Sequence, residues 1–175
     1  MLTDKQEKWL EHLSDTNKTV LNPFNTKVLI EFISLKKKLQ KILGRDTAIL
    51  LKGSSSLGIS GKGELDVYIP VSRSDFDSTF GKLESVIGQP GSYYPYEGVR
   101  FNLVENKTQV ELFLINAESW KQLNIFEDWL RCHPEDLQNY EKIKVSLVGK
   151  STQEYYKKKL IFFNTIIEKS TSQKC

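Results

Sequence analysis

Between positions 25 and 43, apolar residues fall at Val28, Leu29, Phe32, Ile33, Leu35, Leu39 and Leu43. Steps of three and four place them along one broad helical face, and Gly44 supplies the stop. A shorter helix is predicted over residues 3–14, with Thr3 as its cap and Trp9, Leu10 and Leu13 at helical spacing. Residues 15–23 form a polar connection. Residues 47–52 read as a buried strand, 53–63 as a loop of small residues, and 64–71 as an alternating second strand. A third helix is expected from a Ser74 or Asp75 cap to Ile87, with Phe76, Phe80, Leu83, Val86 and Ile87 facing inward. Residues 88–97, rich in Gly, Pro and Tyr, read as a loop, and 99–104 with 108–115 as a hairpin around Glu105-Asn106-Lys107. From Glu118 the pattern is helical, with breaks near His133-Pro134 and Gly149, so three helices follow; Pro134 suits a first turn. Only residues 170–175 look frayed.

This order predicts an α+β fold in which a mixed sheet of four or five strands packs against helices on one face, leaving an edge or second face for a site. At 175 residues a single domain is expected: N-terminal helices over 1–46, a sheet core over 47–116 and a C-terminal three-helix segment over 117–170. Composition agrees, since 39% hydrophobic and 27% charged residues describe an ordinary globular chain. The longest apolar runs, such as Ala48-Ile49-Leu50-Leu51, fall far short of the ~20 residues of a membrane-spanning helix. No basic stretch leads into an apolar one at the N-terminus, so a cytoplasmic location without a membrane anchor is expected. Cys132, Cys175, His12 and His133 are too few and too scattered for a disulfide framework or a zinc site. A net charge of +3 permits a phosphate-bearing ligand; nucleic acid is possible but not indicated.

Candidate chemistry gathers at the strand junction. Glu64 and Asp66 lie two apart, so their side chains leave one face of the strand while Leu65, Val67 and Ile69 leave the other. Neighbouring carboxylates repel unless solvent or a divalent cation neutralises them, and Mg²⁺ (or Mn²⁺) suits such a set together with phosphate oxygens. Glu111 repeats the pattern, interrupting an apolar strand opposite to Val110, Leu112 and Leu114. A plain solvent-facing strand is the other reading of all three acids. Upstream, Gly53 allows a ligand close to the backbone, and Ser54 offers a hydroxyl and an amide to phosphate. Ser55, Ser56, Ser60, Gly58, Gly61 and Gly63 keep the following segment open, and Lys62 adds a cation; alone, such a stretch reads as a flexible loop. A P-loop ending at Gly61-Lys62 would need glycine where Ser56 stands and a hydroxyl where Gly63 stands. A dinucleotide fingerprint starting at Gly61 fails at Asp66. Arg131 is placed to neutralise the last carbonyls of its helix and His133 to orient the turn, Arg100 on the hairpin is placed to face the site, and Tyr93-Tyr94-Pro95-Tyr96, which offers rings for base stacking, reads first as an exposed loop outside the site.

A Gly-Ser turn, a small-residue spacer, an acidic-apolar-acidic strand and a later strand acid together resemble the polymerase-beta-like nucleotidyltransferase superfamily. Within it the chain is similar to the GrpB family, through Gly53-Ser54-Ser55-Ser56-Leu57-Gly58 and Lys62 ahead of Asp66. Asp128-Trp129-Leu130-Arg131-Cys132-His133-Pro134, then Tyr140, Lys144, Tyr155 and Lys159, also follow that family's spacing. The resemblance spans residues 48–168. The chain departs from it at Gly58, where proline is usual, in its shorter spacer, and at Glu111, commonly histidine. The last departure brings it closer to the acidic triad of the wider superfamily.

The resemblance implies a metal-dependent transfer of a nucleoside monophosphate from a triphosphate, ATP first among the candidates, to an unidentified hydroxyl or phosphate acceptor. Glu64, Asp66 and Glu111 would be the metal-binding and catalytic residues, with Glu111 helping to activate the acceptor hydroxyl. Gly53, Ser54 and Lys62 would hold the nucleotide. Lys144 and Lys159 each follow a tyrosine by four residues, Tyr140 and Tyr155, and so share a helical face with it. Tyr140, Lys144 and Lys159 would then reach the triphosphate; the other reading is a lysine stem packed beside a core tyrosine. The alternative function is a catalytically inactive nucleotide-binding or regulatory module. An interaction protein built on the aromatic-rich terminal helices is a third reading, against which stands the lack of any repeat or heptad.

Overall fold

A computed structural model of the chain describes residues 1–94 and 98–172. Its elements run α1 (Asp4–Glu11), α2 (Lys27–Leu43), β1 (Leu50–Lys52), α3 (Gly53–Leu57), β2 (Leu65–Val71), α4 (Phe76–Ile87), β3 (Ser92–Tyr94), β4 (Gly98–Glu105), β5 (Thr108–Asn116), α5 (Ala117–Cys132), α6 (Pro134–Ser146) and α7 (Thr152–Ser172). They fall into two compact units, one of Met1–Pro23 with Asn124–Cys175 and one of Phe24–Leu123, the division passing through α5.

The second unit is built on a five-stranded sheet in the order β1-β2-β5-β4-β3. Among the described residues only β2 and β5 pair in parallel, and the chain between them is long enough to return through α4 and two further strands. The other pairs are antiparallel, so the sheet is mixed, as expected of an α+β fold. Period-two alternation sorts its residues into rows. Leu51, Val67, Leu112 and Phe101 form one row, and Leu65, Ile69, Val110, Leu114 and Val99 extend the same face. With Leu51 packed half-buried against them, these side chains join Leu35 and Leu39 of α2 and Phe76 and Leu83 of α4 in one buried cluster. Burying each such side chain contributes roughly 1.5–3 kcal/mol, which fixes the sheet's register, because a one-residue slip would turn the whole set outward.

At the β4–β5 hairpin, Asn106 and Lys107 both have positive φ, the backbone that a two-residue turn between twisted strands requires. Glu105, beside the turn and buried, is neutralised by Lys38 of α2 at 2.7 Å.

Several expectations change. Residues 53–57 are a turn of helix rather than open loop, closed by Gly58 in the left-handed region, whose N–H donates to the Ser54 carbonyl. Residues 92–94 form an edge strand, and the Gly91 N–H donates to the Arg100 carbonyl. Neither Ser74 nor Asp75 caps α4 through its side chain; the Ser72 hydroxyl accepts from the Asp75 N–H instead. Val86, expected to face inward, is 62% exposed, and on the broad apolar face of α2 Leu29 and Ile33 are exposed too, because the apolar stripes of α4 and α2 are wider than the strip that meets the sheet. Residues 170–172 continue α7. Pro95, Tyr96 and Cys175 lie outside the described residues.

In the first unit Thr3 caps α1 in a full capping box with Gln6. The Gln6 amide bonds Asn164 of α7, and Trp9 meets the edge of Tyr156 at a centroid distance of 5.3 Å. Phe126, Tyr140 and Phe162 form an aromatic core. Asp136 in the first turn of α6 accepts from the buried Trp129 indole at 2.8 Å and from Lys169 at 2.8 Å. Burial raises the Asp136 pKa, but the hydrogen bonds from Lys169 and Trp129 and the charges of Lys169 and His133 outweigh it and hold the carboxyl below its ordinary value. Arg131 pairs with Glu127, one turn back on its own helix, at 3.3 Å. His133 does orient its turn: the ring stacks on Trp129 and Nδ1 donates to the Trp129 carbonyl at 2.9 Å. Among the described residues no helix is long and apolar enough to cross a membrane.

Candidate active site

One residue on from the core row, the sheet carries a polar row. Lys52 faces Asp66, Asp66 faces Glu111, and Glu111 faces Asn102, all as direct cross-strand partners. Partners share a face of the sheet, so this row projects on the side opposite the Leu51–Val67–Leu112–Phe101 core. Glu64, immediately before β2, joins it, and carboxylate oxygens of Glu64, Asp66 and Glu111 all lie within 4.8 Å of one another. All three are half-buried. Three carboxylates this close repel strongly in a partly desolvated setting, and the set has the hard oxygen donors and spacing that suit Mg²⁺ or Mn²⁺.

The Gly53 turn fits the cluster closely. Gly53 has φ +69°, and a Cβ there would overlap the Asp66 carboxylate, so both backbone and space demand glycine. Gly61 has a matching role: a Cβ on it would sit 2.7 Å from the Ser54 Cβ. The turn is tied down by the Ser56 hydroxyl donating to the Gly53 carbonyl at 3.0 Å and by the Ser55 hydroxyl donating to the Glu64 carbonyl at 3.1 Å. Gly53, Ser54, Glu64, Asp66 and Glu111 are thus brought together, and Lys62 lies half-buried in the same connection.

Arg100 faces this group, with Nη1 3.2 Å from Glu111 Oε1. Sequence reasoning did not single out Lys52 or Asn102. Lys52 is buried, its Nζ 4.6 Å from the centroid of the Trp120 ring, and Trp120 in turn lies against Tyr68, which stacks on Phe113. A lysine closing an apolar strand just before Gly53, and an asparagine between Phe101 and Leu103, are the signals that would have marked them.

Tyr140, Lys144 and Lys159 belong to the first unit. Lys144 is fully buried, its Nζ 5.4 Å from the centroid of the Tyr140 ring. Lys159 lies over Tyr155 and Tyr156, at 5.2 and 5.0 Å. Both arrangements are cation–π contacts with tyrosines on the same or a neighbouring turn.

Comparison with known proteins agrees with this architecture. A UPF0157 protein of Vibrio cholerae serotype O1 is 27% identical over 126 residues, covering 70% of this chain and 66% of its own length, so the chain spans just under two thirds of that relative. The crystal structure of the conserved protein GrpB from Enterococcus faecalis superposes with a TM-score of 0.66 at 15% identity, over 86% of this chain and 96% of the other, and shares its fold. Polymerase beta of Leishmania infantum is more distant, with a TM-score of 0.41 at 13% identity over 82% of this chain and 59% of the other. The GrpB protein family matches residues 18–169, most of the chain and every residue of the carboxylate row. This chain belongs to the GrpB protein family.

Proposed function

We propose that the Glu64, Asp66 and Glu111 cluster is the active site of a metal-dependent nucleotidyltransferase, which moves a nucleoside monophosphate from a nucleoside triphosphate to a hydroxyl or phosphate acceptor. The observation that carries the reading is the convergence of three carboxylates from separate positions on one polar row beside a turn in which only glycine fits. A solvated strand face has no need of such convergence, since like charges would be better dispersed.

In this reading Glu64, Asp66 and Glu111 hold one or two Mg²⁺ ions. The ions, when bound, neutralise charge on the transferring phosphoryl group and its leaving pyrophosphate. Gly53 brings the backbone close to the phosphates, Ser54 donates its hydroxyl to a phosphate oxygen, and Lys62 adds positive charge at the rim. With a hydroxyl acceptor, Glu111 orients it and withdraws its proton as the new ester bond to the α-phosphorus forms and the α–β anhydride bond breaks to release pyrophosphate. The apolar face beneath the row keeps these groups in register through the reaction.

The test is incubation of the protein with each nucleoside triphosphate, Mg²⁺ and a mixture of hydroxyl- and phosphate-bearing metabolites, with pyrophosphate release as readout. Release that depends on metal and is lost in a folded Asp66→Asn variant supports the proposal. Absence of release with every triphosphate, although nucleotide and Mg²⁺ still raise the melting temperature, would favour a nucleotide-binding module without turnover.

A further inference from the structure

Glu111 has two neighbours on the adjacent strand. Asn102 stands directly across from it, while Arg100, opposite Phe113, reaches it along the diagonal. The Arg100 side chain takes that diagonal, with Nη1 3.2 Å from Glu111 Oε1, and so sets a positive charge against a carboxylate of the crowded cluster. Both partners keep contact with solvent, at 37% and 30% side-chain exposure, which makes this an ion pair that exchanges readily rather than a locked internal one. The guanidinium is also incompletely used. Its Nε is buried and finds no acceptor among the described residues, although buried N–H groups are nearly always paired. The planar donor fork matches phosphate oxygens as well as carboxylates.

We propose that Arg100 is a positioning residue which holds Glu111 in the metal-free protein, competes with the divalent cation for that carboxylate, and turns to a phosphate oxygen of the nucleotide once the cation has taken Glu111. The proposal rests on the reading of the cluster as a cation site. Its logic is charge balance: with no cation the guanidinium offsets one of three negative charges, and with a cation present the two positive charges repel. An incoming phosphate then supplies the acceptors that the carboxylate no longer offers.

The experiment is titration of the full chain with Mn²⁺ in the absence of nucleotide, free Mn²⁺ being read by electron paramagnetic resonance, on the wild type and on Arg100→Gln, Arg100→Lys, Glu111→Gln and the Arg100→Gln/Glu111→Gln pair. Arg100→Gln is expected to bind Mn²⁺ roughly tenfold more tightly than wild type, the scale on which groups beside metal ligands act. Arg100→Lys, which keeps the charge, stays near wild type, and Arg100→Gln has no further effect once Glu111 is Gln. With Mn²⁺ saturating, a non-hydrolysable α,β-methylene triphosphate analogue binds more weakly to Arg100→Gln. Should Arg100→Gln fail to fold, Arg100→Met, which keeps the packed stem, carries the same expectation. If wild type binds Mn²⁺ and the charge-removing variant binds it no more tightly, the role of Arg100 is overturned while the cation site stands. If neither binds Mn²⁺, the cation site is overturned and Arg100's role with it.

Discussion

Asp66 and Glu111 face each other directly across the parallel β2–β5 pair, between two apolar pairs, Leu65–Val110 and Val67–Leu112, that point into the core. Their proximity to each other and to Glu64 costs stability in the absence of a cation, because three like charges share one half-buried space. Asp66→Asn is therefore expected to relieve that repulsion, by up to about 1 kcal/mol without metal, and, on the reading of the cluster as a cation site, to remove the rise in melting temperature expected of wild type with Mg²⁺ or Mn²⁺. Thermal melts with and without metal check both halves.

Gly53→Ala tests the turn. The left-handed backbone at position 53 and the overlap of a new Cβ with the Asp66 carboxylate predict a loss of about 1–3 kcal/mol, together with loss of the proposed metal-dependent activity as Asp66 is displaced. Gly58→Ala is the control. Its φ is also positive, but nothing lies within 4 Å of a Cβ there, so it should lower stability by a similar backbone term while leaving metal binding intact.

Leu112→Ala removes a fully buried side chain directly beneath the polar row. A core truncation of this kind costs roughly 2–5 kcal/mol. Chemical denaturation should show a lower midpoint, and activity measured well below that midpoint should fall much less than in Asp66→Asn, which separates support of the sheet from the site itself.

Asp136 makes stability depend on pH. Its folded pKa lies below the unfolded value, so its contribution is fully present above the ordinary carboxylate pKa and is lost as pH falls from there through the folded pKa. Wild type should lose stability on acidification below about pH 4 more steeply than Asp136→Asn. At neutral pH, Asp136→Ala, which leaves the Trp129 indole without its acceptor, should cost about 1.5–3 kcal/mol. Melting temperatures across pH 2–7 provide the comparison.

Much of this was legible in the residue pattern, and the remainder fails for identifiable reasons. Long periodic segments announced α2, α4 and the three C-terminal helices, and alternation put Glu64 and Asp66 on the face opposite Leu65 and Val67. Helix α3 escaped notice because glycine and serine are weak helix formers; a single turn forms there because Ser56 and Gly58 tie it to Gly53 and Ser54. Strand β3 is three residues long and lies at the sheet edge, too short for alternation to register. Alternation marked Glu111 as a polar position but not as a neighbour of Asp66, since that depends on β5 pairing with β2 across some forty residues of intervening chain. Strand order also decided that Lys52 and Asn102 would share the row.

Transfer of label from an α-phosphate-labelled nucleoside triphosphate to an acceptor tests the central claim most directly, with wild type, Asp66→Asn and Glu111→Gln compared at equal folded concentration. Metal-dependent appearance of label in a covalent product with wild type, and its loss in both variants, is the predicted result. Transfer that persists in both variants, or a wild type that neither transfers label nor responds to Mg²⁺ or Mn²⁺ in a thermal melt, would contradict it.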